Sequence, residues 1–131
     1  MRCIFLPHLL LLCALSCHSA SDSRPFEVAN DFLNAYLRLD FDWVLPLCGS
    51  ELQADLELSA KIFQTWSPEV QEQRKEELEA YHHTIDNVRL NPSKDSAFVA
   101  YTVFTPEAPG GNSGKLTMTL EEEGWKVVAF F

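Results

Sequence analysis

The side chains best able to bind a metal ion cluster near the middle of the chain. Adjacent His82 and His83 lie between Glu79 and Asp86, and imidazole and carboxylate groups are common ligands of zinc. After Tyr81 the apolar residues recur at every second position, which predicts a strand, and neighbouring side chains of a strand point to opposite faces. The two histidines are therefore not expected to hold one ion, and a solvated junction between a helix and a strand is the favoured interpretation. We predict neither a metal nor a cofactor.

The other candidates for catalysis are isolated in the sequence. Cys48 ends an apolar run without a basic neighbour that would lower the pKa of its thiol, so a small core residue is favoured over a reactive nucleophile. Asp40 is better explained as the N-cap of a short helix. The sequence shows no motif typical of a Ser-His-Asp catalytic triad and no phosphate-binding glycine loop. It also has no spacing of ligand residues that is typical of a metal site. We predict that the protein is not an enzyme and assign no catalytic residue.

Residues 1–16 have the three-part layout of a secretory signal peptide. Arg2 supplies a positive charge, the stretch Ile4–Leu15 is apolar apart from Pro7 and His8, and Ala14-Leu15-Ser16 has small residues at its first and third positions. The apolar stretch is shorter than the roughly 20 residues that a membrane-spanning helix needs. We therefore expect the protein to be secreted.

The segment Leu15-Ser16-Cys17 resembles the lipobox of bacterial lipoproteins, in which a diacylglycerol is joined to the cysteine by a thioether before cleavage. The match is partial because Ala14 stands where that family prefers leucine, and ordinary signal-peptide cleavage would also accept Ala14-x-Ser16. We expect Cys17 to be lipidated, residues 17–24 to form a tether, and the protein to be held on the bacterial cell envelope. Acyl chains anchor a protein because each buried methylene contributes about 0.8 kcal/mol.

The cysteine count and the net charge narrow the classes of partner. Cleavage before Cys17 would remove Cys3 and Cys13 and leave Cys48 as the one unmodified thiol, so a disulfide framework is excluded. The chain has 19 acidic and 10 basic residues, and loss of Arg2 would leave 9 basic residues and a net charge of −10. Such a charge disfavours binding to nucleic acid. An acidic surface is repelled by anionic headgroups, so any association with a membrane would have to come from the lipid attached to Cys17.

Residues 25–131 are predicted to form a single domain that begins with helices. Apolar residues at three- and four-residue spacing between Phe26 and Leu37 predict an amphipathic first helix. A short second helix follows, and then a third that begins after Ser50, ends near Trp66 and has an irregular apolar phase. Ser67, followed by proline, predicts the start of a strongly charged fourth helix on the surface.

Strands are predicted after Tyr81. The first contains a bulge at Asp86-Asn87, where the alternation slips. Ala97–Phe104 is apolar on both faces and is expected to be a central strand. The segment Thr105–Gly114, with its prolines and glycines, predicts a long mobile loop. In Lys115–Phe131, two strand-like runs, the first with alternating apolar and polar residues, flank a short turn, which predicts a β-hairpin.

Helices followed by an antiparallel meander predict an α+β fold, with N-terminal helices packed on a curved four-stranded antiparallel sheet. Glu27-Val28-Ala29-x-x-Phe32-Leu33-x-Ala35-Tyr36, Asp40-Phe41 and Gly124–Val128 resemble the nuclear-transport-factor-2-like (NTF2-like, ketosteroid-isomerase-like) superfamily, and within it small bacterial lipoproteins that carry a domain of unknown function. The resemblance covers roughly 25–131. It implies a cone-shaped domain, often with a pocket at its mouth that serves enzymes, binding modules or dimer interfaces alike.

Five aromatic residues are the candidates for lining such a pocket: Tyr36, Trp43, Phe63, Tyr101 and Trp125. Aromatic residues are also common in hydrophobic cores, so the alternative that these five residues are core residues stays open. We expect a non-enzymatic module that binds a small apolar ligand or a protein partner, or that forms a homodimer through its sheet. The alternative is an isomerase-like or lyase-like enzyme, which requires a buried carboxylate or histidine that opens into the pocket. Asp40, Asp86 and His83 are the residues on which that distinction depends.

Overall fold

The structure is a computed structural model that describes residues 24–131. The predicted signal peptide 1–16, the lipidation site Cys17 and most of the predicted tether lie outside the described residues. In residues 24–131, no helix combines the length and the apolar character that crossing a membrane requires.

Four helices form the first half of the domain. They are α1 Pro25–Leu37, α2 Phe41–Val44, which runs into a 3₁₀ turn at Leu45–Leu47, α3 Ser50–Gln64 and α4 Pro68–Leu78. The Ser67 hydroxyl accepts a hydrogen bond from the backbone N–H of Val70, so the predicted cap of α4 is confirmed. Asp40 occupies the N-cap position of α2 as predicted, but its side chain makes no capping hydrogen bond.

The second half of the domain is an antiparallel sheet in the order β1-β2-β3-β4. Its strands are β1 His82–Leu90, β2 Ser96–Thr105, β3 Ala108–Glu121 and β4 Gly124–Phe130. The register shifts between Ile85 and Asn87, which confirms the predicted bulge, and β2 has a partner on each side as predicted. Gly124 turns the last hairpin with a φ of 120°, a conformation that favours glycine.

The prediction of a long loop over Thr105–Gly114 is wrong. Only a short turn follows Thr105, and β3 begins at Ala108. Gly114 pairs with Tyr101, whose ring lies so close to it that a Cβ at this position would collide with the ring. The glycine is therefore needed for close packing inside a strand, and the sequence alone does not distinguish this from a loop glycine.

The core lies between α1 and the inner face of the sheet. Its fully buried side chains come from both layers: Phe32, Leu33, Val44, Val99, Leu116, Met118 and Val127. The segment before α3 also joins the sheet, because Cys48 forms a bridge to Val127 and the Gly49 N–H donates to the Val127 carbonyl at 2.8 Å. The predicted α+β class, with helices packed on a four-stranded antiparallel sheet, is confirmed.

Candidate functional site

Four of the five aromatic residues proposed to line a pocket lie in or beside the core, namely Tyr36, Tyr101, Trp125 and Phe63. Trp125 and Tyr101 are 5% and 7% exposed. The Tyr101 hydroxyl donates to the Phe131 carbonyl at 2.7 Å, and burial, with a smaller effect of the nearby Tyr36, raises the pKa of Tyr101. Tyr36 is half-buried and stacks on Phe32, with 5.8 Å between the ring centroids. These side chains pack α1 against the sheet.

Trp43 lies at the surface. Its side chain is 72% exposed and lines an open cleft of about 420 Å³ between α1 and α2. Charged groups from Asp31, Arg38 and Asp40 line the same cleft. The cleft therefore combines one exposed indole with a charged wall.

Phe63 lines a second open cleft, of about 660 Å³, on the other side of the turn that contains Arg38 and Asp40. Its ring is only 8% exposed, and the ammonium group of Lys75 lies 6.0 Å from the ring centroid. Glu79 is also part of this wall. Because both clefts are open and carry charged side chains, they are surface grooves and do not enclose a ligand as small-molecule pockets usually do.

A third cleft, of about 300 Å³, separates α1 from the start of β1. His83 lies in it, with Nε2 2.8 Å from Asn30 Oδ1. His82 also lines this cleft, but its ring stacks on Phe104 at a centroid distance of 4.9 Å, so the two imidazoles make different contacts. Burial is the main cause that lowers the pKa of His83, followed by the charges of Arg38 and His82. Within residues 24–131, no three His, Cys, Asp or Glu side chains are placed to hold a metal ion.

Asp40 and Asp86, the two carboxylates whose burial would have favoured an enzyme, are exposed to solvent. Asp40 is exposed, and Asp86 is exposed at the bulge of β1. The two carboxylate oxygens of Asp86 accept hydrogen bonds from the hydroxyls of Thr84 and Thr102, at 2.8 Å and 2.6 Å. These two bonds lower the pKa of Asp86. The part of the chain that the structure describes has no polar or charged residue in its buried core.

Cys48 is a core residue, as its apolar neighbours predict. It is 6% exposed, and its thiol donates to the Val44 carbonyl at an S···O distance of 3.2 Å. Burial raises the pKa of Cys48 to about 11, against a smaller opposing effect of Lys126. A thiol with this pKa is protonated at neutral pH and is a poor nucleophile.

Helix α3 has apolar residues on two faces. The inner face carries the buried residues Leu52, Leu56, Ala60 and Phe63. On the outer face, Leu58 and Ile62 are 60% and 52% exposed. Trp66, in the bend between α3 and α4, is 41% exposed, and Val70, in the first turn of α4, is 47% exposed. We call these four residues, Leu58, Ile62, Trp66 and Val70, the apolar ridge.

The apolar ridge is flanked by acidic side chains. Asp55 precedes Leu58 by three residues and Glu51 precedes Asp55 by four, so both carboxylates share the outer face of α3 with Leu58. Together α3 and α4 carry seven acidic and three basic residues, a net charge of −4. The acidic residues are Glu51, Asp55, Glu57, Glu69, Glu72, Glu76 and Glu77. The sequence signal for the ridge was the irregular phase of α3, where Leu58 falls outside the inner face.

Comparison with known proteins relates this chain to others through its fold. No protein-family model and no curated protein matches the sequence. Among solved structures, a Campylobacter jejuni protein provisionally assigned as an NTF2-like transpeptidase superposes with a TM-score of 0.52 at 16% identity, covering 82% of this chain and 99% of that one. The intermembrane-space region of the chloroplast protein ARC6 gives a TM-score of 0.41 at 13% identity, over 79% of this chain and 92% of that one. The likeness to the Campylobacter jejuni protein supports the NTF2-like fold that the sequence predicts.

Proposed function

We propose that the protein is a non-enzymatic binding module of the bacterial cell envelope, secreted through residues 1–16 and anchored by a lipid on Cys17. The apolar ridge is the observation that carries the binding role. Four large apolar side chains, each 41% to 60% exposed, follow one another along α3 and into α4. Exposed apolar side chains that are grouped and rimmed by polar residues mark interaction surfaces, whereas single ones are ordinary.

The shape of the ridge favours a protein partner over a small apolar ligand. A small ligand is bound in a concave site that covers most of its surface. The ridge instead runs from the outer face of α3, past Trp66 in the bend after it, to the first turn of α4. The clefts beside Trp43 and Phe63 are open and charged. A helix face of this kind is covered by packing another element across it.

The negative charge around the ridge favours a positively charged partner. If a second copy of the chain packed on the ridge, the acidic residues of α3 and α4 in the two copies would repel each other. Anionic lipid headgroups would be repelled in the same way. A basic partner is attracted. We therefore assign the ridge to a basic amphipathic helix of another envelope protein, with apolar anchors at helical spacing.

The environment of the candidate acid–base residues supports a binding role over an isomerase-like or lyase-like one. A general base with a useful pKa needs an enclosed apolar site beside the substrate. Asp40 and Asp86 are exposed, and the half-buried His83 uses one ring nitrogen to bond Asn30. In residues 24–131, these groups do not share an enclosed cavity.

The binding role is tested by the size of the complex that the full-length chain forms in gently solubilised membranes of its host. The chain with Ile62→Ser should migrate as a smaller species than the wild type, whereas Leu90→Ser, an exposed apolar residue of β1, should leave the complex intact. Equal loss in both variants, or in neither, would contradict a partner on the ridge. A species of twice the chain mass that is dissociated by Phe98→Ser would instead indicate a homodimer through the sheet.

A further inference from the structure

The cleft between α1 and the start of β1 is lined by hydrogen-bond donors. Its polar lining residues are Asn30, Asn34, Arg38, Tyr81, His82 and His83, and no carboxylate lines it. We propose that this cleft binds a small oxyanion, namely a phosphate or carboxylate group. The site is separate from the apolar ridge and does not depend on the role proposed for it.

Arg38 is the group that would hold the charge of the anion. It stands just after α1, and one of its guanidinium nitrogens donates to the Leu78 carbonyl at 2.7 Å, which restrains the side chain. Within residues 24–131, no carboxylate lies within 4.0 Å of this guanidinium. An arginine has five N–H donors in a planar fork. The N–H groups that do not bond Leu78 are therefore free to bond two oxygens of a phosphate or carboxylate.

The amide and imidazole groups supply the remaining donors. The 2.8 Å contact between His83 Nε2 and Asn30 Oδ1 requires the histidine to donate, because an amide oxygen only accepts. The amide nitrogens of Asn30 and Asn34 can then serve the ligand. The cleft offers about 300 Å³, which suits a small group and not an extended one.

A bound anion would change the ionisation of His83. The titratable groups that line the cleft with it are Arg38, just after α1, Tyr81 and His82. Burial, Arg38 and His82 lower the pKa of His83. An anion beside Arg38 offsets the repulsion between the two cations and raises that pKa. Binding therefore takes up a proton, and affinity increases as the pH falls towards the pKa of His83.

The donor set disfavours the other classes of occupant. A cation would meet Arg38 and would lack a carboxylate ligand among the lining residues. An apolar molecule would cover the remaining N–H groups of Arg38, Asn30 and Asn34 without accepting hydrogen bonds from them, which is costly. The remaining alternative is a polar crevice that binds only water.

The test follows the imidazole signals of the full-length chain by NMR during titration with inorganic phosphate or sodium acetate, with ionic strength held constant by sodium chloride. His83→Gln assigns the His83 signal. The expected result is a saturable shift of that signal, and a raised pKa for His83, with one or both anions. The anion that gives the shift identifies the class of ligand.

Two arginine variants decide whether the cleft is responsible. Arg38→Gln keeps a donor for Leu78 and should weaken binding by about tenfold or more, as expected for loss of a charged hydrogen bond. Arg89→Gln, on the outer face of the sheet where Arg89 lies 5.4 Å from the Phe98 ring, is the matched control and should bind as the wild type does. Absence of a saturable shift in the wild type, or the same shift in Arg38→Gln, would overturn the proposal.

Discussion

Trp66 packs edge-on against Phe63, with 5.3 Å between the ring centroids and 61° between the ring planes. Phe63 in turn belongs to the buried face of α3 and lies 5.9 Å from the Phe41 ring. The indole of the apolar ridge is therefore fixed on the core although 41% of the residue is exposed. A side chain that is already held in place loses little conformational entropy when a partner covers it, which favours binding.

Ile62→Ser should abolish partner binding while leaving the fold intact. Ile62 is 52% exposed, and exposed substitutions usually change the free energy of unfolding by less than about 0.5 kcal/mol. Urea unfolding of the variant should therefore match that of the wild type to within about 1 kcal/mol. A loss of several kcal/mol would show that Ile62 stabilises the fold, and loss of binding would then say nothing of a docking surface.

Cys17→Ser should release the protein from membranes. The substitution removes the thiol to which the lipid would be attached, and the acidic domain has no other expected attraction to anionic headgroups. Fractionation of the host cells should move the protein from the membrane pellet to the soluble fraction. Retention in the pellet would contradict the lipid anchor.

Gly114→Ala should destabilise the protein because a methyl group at Gly114 would collide with the Tyr101 ring. Overpacking of this kind costs about 1–3 kcal/mol. Tyr101→Phe should cost about 1 kcal/mol because it removes only the hydrogen bond to Phe131. Gly110→Ala is the matched control, since a Cβ there meets no atom within 4 Å. The free energies of unfolding in urea should therefore fall in the order Gly110→Ala, Tyr101→Phe, Gly114→Ala, and equal values for the two glycine variants would contradict the packing described.

Stability should decrease as the pH falls through the ordinary pKa of His83. The folded-state pKa lies below the value of 6.5 for a free imidazole, so between the two values the unfolded chain binds more protons than the folded one. The free energy of unfolding contributed by His83 is thus complete above pH 6.5 and is lost progressively below it. Urea midpoints at pH 7.5 and pH 5.5 should differ less in His83→Gln than in the wild type. An equal difference in both proteins would assign the effect to other groups.

The elements with a strong periodic pattern could be predicted from the sequence. Apolar spacing located α1, the proline after Ser67 located α4, and the slip of alternation at Asp86 located the bulge. Each of these signals is local, because it depends on residues within one or two turns of a helix or along one strand. The early part of β3 has no such signal. Its extended backbone is stabilised by pairing with β2 and by the Tyr101 ring above Gly114, which are contacts between distant residues.

The candidate site was harder to predict than the fold for the same reason. The sequence pattern does not distinguish Trp43 from Trp125, yet Trp43 is 72% exposed and Trp125 is 5% exposed. The irregular phase of α3 did show that Leu58 lies off the inner face. It did not show whether another element covers that face, since this depends on where α4 and the sheet pack. Arg38 and His83 come together only in the folded chain, across the gap between α1 and β1.

The most direct test of the proposed function is photo-crosslinking from the ridge in living cells of the host. The full-length chain would carry benzoylphenylalanine in place of Ile62, and a second version would carry it in place of Phe98 on the sheet. We predict that position 62 crosslinks to one protein, at a helical segment with basic residues and apolar residues at three- and four-residue spacing, and that position 98 does not. No crosslink from position 62, or crosslinks from it to many unrelated proteins, would contradict a docking site on the apolar ridge.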